Sequence, residues 1–187
     1  MFLRKAKRRE PVVVTMSGVR MGEKLLQIGI DAPGVAGTIA AKVGLSGSAA
    51  AAVTDEAAAT QARAAAMEAG VLMDVQVAPL DRLPFADAAF DVVVVHSQQG
   101  LLSSIEAAAR PAAAREWCRV LRQGGRIVTI EQGTRSALSA MFTGGAATNP
   151  AYADAGGTVR LLESGGFRPV RLVGDLEGIK FTEGLKS

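Results

Sequence analysis

The residues of this sequence best placed to bind or move charge cluster around a few short turns. One turn reads Gly29-Ile30-Asp31-Ala32-Pro33-Gly34. It keeps the first and last glycines of G-x-G-x-x-G, the turn that brings a strand end close to a nucleotide, and has Asp31 in place of the middle glycine. That replacement selects among ligands. A dinucleotide would lay a pyrophosphate against this turn. Two like charges about 4 Å apart at an effective dielectric near 20 cost roughly 4 kcal/mol. A nucleoside with a cationic centre meets no such repulsion. The plainer role for Asp31 is to cap the following helix or its turn. Asp55 and Glu56 stand at the end of the next apolar run, Asp55 lying 26 residues after Gly29. A carboxylate there has two acceptor oxygens for the two hydroxyls of a ribose. Its alternative is helix capping, with Asp55 as N-cap and Glu56 favouring the helix dipole, and one residue can do both.

His96 closes a run of four valines and is the only histidine. At a strand end beside a pocket it would take a proton from a hydroxyl or amine; its plain role is a hydrogen-bonded strand-end imidazole. Ser97, Gln98 and Gln99 follow it as ligand-orienting groups or as loop. Cys118 is the only cysteine, which excludes an intrachain disulfide and a multi-cysteine zinc site and fits a reducing, cytoplasmic setting. Cys118 reads as a small buried hydrophobe, and Trp117, spaced with Val120 and Leu121, as core.

Elements that would position these groups alternate along the chain. Apolar runs at residues 24–30, 48–54, 73–78, 90–96 and 126–131 predict strands. Helical spacing predicts helices over 34–43, 56–69 and 112–122, the last ended by Gln123-Gly124-Gly125. In the second helix Ala58, Ala62, Ala65, Ala66 and Ala69 form one stripe, which lets it sit close to a sheet. Residues 134–157 read as a loop, with a short helix near 136–141, suited to a mobile cover whose Met141, Phe142 and Tyr152 favour an apolar or aromatic ligand. A last helix over 157–164 precedes strands at 169–173 and 179–182. Their link is too short for a crossover helix, so this pair is antiparallel. The expected fold is α/β: a mostly parallel seven-stranded sheet, helices on both faces, and a C-terminal antiparallel hairpin.

Composition sets further bounds. Of 187 residues 49% are apolar, which rules out a disordered chain. Eight are aromatic against 34 alanines and 21 glycines, so small side chains must build much of the core. Residues 1–24 carry seven basic and two acidic side chains, and the rest of the chain is net −2. The division expected is a basic arm over 1–21 and one domain over 22–187. The arm reads as solvated, or as a contact with an anionic surface such as lipid headgroups. With Phe2 the only aromatic in it, specific nucleic-acid binding is not expected. The apolar run at 12–14 is short for a secretory signal, and Gly144, Gly145, Asn149 and Pro150 interrupt the longest uncharged stretch, so no membrane span is expected.

Two stretches carry a family resemblance. Residues 83–94 read LPFADAAFDVVV and residues 119–126 read RVLRQGGR. Both resemble class I S-adenosylmethionine-dependent methyltransferases, in particular the small-molecule group that includes quinone-biosynthesis enzymes. LESGGF at 162–167 is similar to that family's ending. The resemblance implies a Rossmann-like methyltransferase fold, S-adenosylmethionine as cofactor and a small-molecule methyl acceptor. It places the cofactor against Gly29, Asp31, Gly34, Asp55 or Glu56, and the segment at Leu80 and Asp81, with His96 facing donor and acceptor. The sequence departs from the family's pattern at Gln27, where an acid is usual, at Asp31 and Pro33 in the glycine turn, and at Pro79, where an Asp is common. These departures leave open a catalytically silent scaffold of the same fold. A nicotinamide-dependent oxidoreductase is disfavoured by the charge at Asp31.

Overall fold

The computed structural model describes residues 11–133 and 150–187. The basic residues 4–9, Phe2, the short helix expected at 136–141, Met141 and Phe142 lie outside the described residues.

Strands β1 (Lys24–Ile28), β2 (Ser48–Val53), β3 (Met73–Val77), β4 (Phe90–Ser97), β5 (Leu121–Gln132), β6 (Phe167–Leu176) and β7 (Ile179–Lys186) form one sheet. Its order is β3-β2-β1-β4-β5-β7-β6. The first five are parallel, and β7 inserts antiparallel between β5 and β6. The mostly parallel sheet with a C-terminal antiparallel hairpin is the expected architecture. The hairpin is longer than its most apolar stretches because β6 is an edge strand with many exposed side chains, which leaves little apolar alternation to read.

Helices α2 (Pro33–Ala41) and α3 (Glu56–Glu68) follow β1 and β2, and α4 (Leu101–Ser104) and α5 (Arg110–Val120) both follow β4. Under α5 the core gathers Trp117, Phe167, Leu26, Val93, Val95 and Ile127. On the opposite face Leu25, Ile39, Val92, Val94, Ile130 and Phe181 pack together. β2 is built from four consecutive alanines, and α3 buries Ala59, Ala62, Ala65 and Ala66. Such small side chains bring helices close: a Cβ on Gly37 of α2 would stand 2.5 Å from the carbonyl oxygen of Ala65 in α3. Only glycine fits there.

Three local readings are corrected. Ala59 rather than Ala58 lies in the buried stripe of α3, because Ala59, Ala62 and Ala66, at i, i+3 and i+7, share the face that docks on the sheet, while Ala58 and Ala69 at its margins are only partly buried. Helix α5 starts and stops two residues earlier than 112–122. Leu121 is already extended (φ −75°, ψ 140°) and pairs with Phe90, so Gly124 (φ +70°) shapes a bend inside β5 rather than a helix cap. Short helices α1 (Val12–Met16) and α6 (Pro150–Asp154) occupy stretches read as arm and loop, and α7 (Gly157–Ser164) matches its expected bounds. Val13, Val14 and Val19 are buried in the sheet face beneath α2, so residues 12–19 are packed into the domain. Among the described residues no helix is long and apolar enough to cross a membrane.

Candidate functional site

A parallel sheet concentrates binding groups at the carboxyl ends of its strands, where the strand order reverses. Here that point lies between β1 and β4, because β1 has β2 on one side and β4 on the other. A cleft of about 330 Å³ sits there. It is lined by Gly29, Ile30 and Asp31 after β1, by Val53, Thr54, Asp55 and Ala58 after β2, and by Gln99, Gly100, Leu101 and Ser104 after β4. Of the predicted site residues, Gly29, Asp31 and Asp55 meet in this cleft. Gly34, Glu56, Leu80, Asp81 and His96 are not among its lining residues.

Gly29 has φ +67°, and a Cβ there would stand 2.6 Å from Leu101 Cδ2 and 3.1 Å from the carbonyl oxygen of His96. The turn therefore needs glycine for conformation and for space. Asp31 does not cap α2, whose N-cap is Ala32 without a side-chain bond. Its carboxylate accepts the backbone N–H of Gln98 and, at 3.3 Å, that of Gln99, while the Gln99 amide donates back to the Asp31 carbonyl at 3.0 Å. The β1 turn and the β4 turn are thus laced together. Burial pushes the Asp31 carboxyl up, and the two N–H bonds hold it down in part.

Asp55 does two jobs. Its Oδ1 accepts the N–H of Ala58 at 2.9 Å, which caps α3, and the residue lines the cleft. Thr54 Oγ1 donates to Oδ2 at 3.3 Å. Glu56 points elsewhere and pairs with Arg63 at 3.4 Å. Leu80 packs partly into the core, and its carbonyl accepts Trp117 Nε1–H at 3.0 Å. Asp81 is exposed. Among the described residues the lining contains two carboxylates and no cationic side chain.

His96 is buried, 1% exposed, and its Nε2 lies 2.9 Å from Gln27 Oε1. The Gln27 amide is oriented by its Nε2 donating to the carbonyl of Ala36 at 3.0 Å. Its Oε1 therefore accepts from His96 Nε2–H, which leaves Nδ1 as the basic nitrogen. Gln27 is fully buried on the same sheet face as Leu25. An acid there would set a buried negative charge against the core; the neutral amide satisfies both neighbours. The sequence shows Gln27 as a departure, and only strand register reveals its partner.

Burial holds the His96 imidazole down at about 4. The sign follows directly. Between an unfolded value near 6.5 and about 4, the unfolded chain binds a proton that the folded chain refuses. Stability therefore falls as pH drops through that window, by up to about 3 kcal/mol. The expected result is a drop in the urea midpoint from pH 7 to pH 4.5 that His96→Asn reduces. An equal drop in both proteins would show that the carboxylates alone carry it.

Ser104 and Leu101 line the cleft without a sequence signal, since LLSS looks like ordinary loop or helix. Residues 32–129, a little over half of the chain, match the family described as the methyltransferase domain. A curated relative, the ubiquinone/menaquinone biosynthesis C-methyltransferase UbiE of Chromobacterium violaceum, is 33% identical over 118 residues, 63% of this chain and 46% of that protein. The chain thus spans about half the length of the curated relatives it matches. Among solved structures, a SAM dependent methyltransferase from Aquifex aeolicus has a TM-score of 0.73 at 16% identity, covering 94% of this chain and 88% of that one. The [4+2]-cyclase SpnF has a TM-score of 0.62 at 16% identity, covering 93% and 78%. Likeness at such identity establishes the fold.

Proposed function

The chain belongs to the methyltransferase domain family, and from that premise we propose that it is an S-adenosylmethionine-dependent methyltransferase acting on a small molecule. The observation that carries the reading is the cleft at the end of β1 and β2, with Asp31 and Asp55 in its lining and no cationic side chain among the described residues. That pair of acceptors suits a nucleoside with hydroxyls and a positive centre and repels a pyrophosphate. The curated relative's name, a C-methyltransferase of quinone biosynthesis, supports a small-molecule acceptor.

The residues fit the cofactor as follows. Asp55 would accept the ribose hydroxyls with the carboxylate capacity left after capping α3. Gly29 would let the backbone approach the ligand. Asp31 would place negative charge beside the cationic half. Gly34 and Glu56, read from the glycine turn and the strand end, lie next to lining residues in sequence, while Leu80 and Asp81, implied by the family resemblance, follow β3; none of the four lines the cleft. When bound, S-adenosylmethionine supplies a methyl group already attached to a good leaving group. The protein has then to align the acceptor, exclude water and remove a proton where the acceptor carries one. Orientation of this kind lowers barriers by roughly 7–11 kcal/mol. His96, buried with Nε2–H held by Gln27, suits positioning of the strand end better than contact with substrate. A cytoplasmic setting, supported by the single cysteine, and contact of the basic segment with an anionic surface, supported by the excess of basic residues in 1–24, belong to the same reading.

A second reading is a catalytically silent scaffold. Two observations favour it: the Asp31 carboxylate already holds two backbone N–H groups of the chain, and Leu101 stands over Gly29. Calorimetric titration with S-adenosylmethionine and with its demethylated product separates the two. Under the enzymatic reading both bind, and Asp55→Ala weakens them by about 10- to 150-fold, the loss of a charge-assisted hydrogen bond worth roughly 1.5–3 kcal/mol. No heat at millimolar ligand would leave the scaffold.

A further inference from the structure

The four most exposed large apolar side chains among the described residues stand at one end of the molecule. Met21 is 79% exposed, Leu45 109%, Met67 79% and Leu72 95%, whereas the next, Leu172, is 55%. Met21 lies in the turn before β1, Leu45 in the turn from α2 to β2, Leu72 in the turn from α3 to β3, and Met67 in the last turn of α3. The three strands are parallel neighbours, so these turns form a row at the amino end of the sheet. We propose that this row docks on an anionic lipid bilayer, its apolar tips inserted and the basic residues beside them against the headgroups.

A single exposed leucine is ordinary on a protein surface, but a grouped set marks a contact. These residues are grouped. A groove of about 400 Å³ has Val43, Gly44 and Leu45 on one side and Val71 and Leu72 on the other. A Cβ on Gly44 would stand 3.2 Å from Met21 Cγ, so Met21 adjoins the same groove. Met21, Leu45, Met67 and Leu72 belong to none of the apolar clusters of the core. Their apolar surface therefore contributes little to the fold.

Shape and charge select the partner. Leu45 projects from the surface, and a projecting tip enters fluid acyl chains where a protein would have to offer a matching hollow. Arg20 precedes Met21, Lys24 opens β1, and Lys42 stands three residues before Leu45. Glu23, the acid in the first of these turns, is neutralised by Arg126 at 2.7 Å. Glu68 and Asp74 flank the turn at Leu72, so positive charge gathers on the β1 and β2 side of the row. Arg4, Lys5, Lys7, Arg8 and Arg9 precede α1, which leads into the turn that holds Met21. Basic side chains beside apolar ones are the combination that holds a peripheral surface to anionic lipid.

The cleft lined by Gly29, Asp31 and Asp55 opens at the opposite, carboxyl ends of the same strands. Strands of five residues put roughly 17 Å between the two ends. Docking at the row thus leaves the cleft facing solvent. The inference rests on the anionic contact proposed above for the basic segment and names the face that shares it; it is independent of the methyl-transfer reading.

The test is sedimentation of the whole protein with vesicles of phosphatidylcholine alone and of phosphatidylcholine mixed with phosphatidylglycerol. Binding to the mixed vesicles is expected to be at least tenfold tighter. Leu45→Ser combined with Leu72→Ser keeps every charge and should weaken that binding at least tenfold. Its urea midpoint should stay unchanged, since both side chains are almost wholly exposed. Leu172→Ser, on the distant hairpin, should bind as the parent does. In a separate variant, Leu45→Trp should shift its emission to the blue on mixed vesicles, because Trp117, the only native tryptophan, is already buried. No binding to mixed vesicles overturns both this proposal and the anionic contact. Binding that the double serine variant retains, or a Leu45→Trp emission that lipid leaves unmoved, overturns the docking face and leaves charge alone as the anchor. A lipid-free dimer that the double variant dissolves overturns it in favour of a second copy of the chain.

Discussion

Gly29→Ala is expected to destabilise the protein by about 2–5 kcal/mol and to abolish S-adenosylmethionine binding. Two effects add. The backbone holds φ at +67°, which costs an L-residue roughly 1–2 kcal/mol. The added carbon also meets Leu101 Cδ2 at 2.6 Å and the His96 carbonyl at 3.1 Å, and overpacking of this kind costs typically 1–3 kcal/mol. Gly70 separates them. It has the same φ of +67°, and a Cβ there would meet nothing within 4 Å, so Gly70→Ala carries the strain alone. Urea unfolding of both variants should place Gly29→Ala lower by about 1–3 kcal/mol, the contact part. Equal losses would show that Leu101 moves aside at no cost. The turn would then be more open than its packing indicates.

Trp117→Ala should cost about 3–5 kcal/mol in the same measurement. The side chain is fully buried at the centre of the core beneath α5, against Leu121, Phe167 and Val93 among others. Its Nε1–H also holds the carbonyl of Leu80 at 3.0 Å, fixing the segment after β3 to the helix. Trp117→Phe keeps most of the ring and loses that bond, and is expected to cost less, about 1–3 kcal/mol. A Phe variant as damaged as the Ala variant would mean that the Leu80 segment, rather than the ring's packing, is what the tryptophan secures.

The strands were legible because a parallel strand covered on both faces is a short unbroken apolar run; Val92 to Val95 is the clearest case, and all four are fully buried. The antiparallel ending was legible because the link between its strands is too short for a helix. The boundary between α5 and β5 was not. Leu121 and Arg122 continue the helical pattern, but Leu121 pairs with Phe90 and Arg122 reaches Asp91, both some thirty residues away, and those contacts draw the chain out of the helix. Helix α1 was hidden by its length of five residues and by the basic residues around it.

The candidate site divides in the same way. The turn that begins at Gly29, the acid Asp31 within it and the acid at Asp55 follow from sequence, because local backbone chemistry and a nearby strand end suffice to mark them. What each side chain faces does not. Asp31 binds backbone 67 residues away, and His96 meets Gln27 across 69. By itself the sequence determined the order of strands and helices and therefore the edge of the sheet where charge is gathered. Only the tertiary structure decided which carboxylates are already engaged and which keep lone pairs for a ligand, because hydrogen bonds between distant segments depend on register and packing that no local pattern encodes.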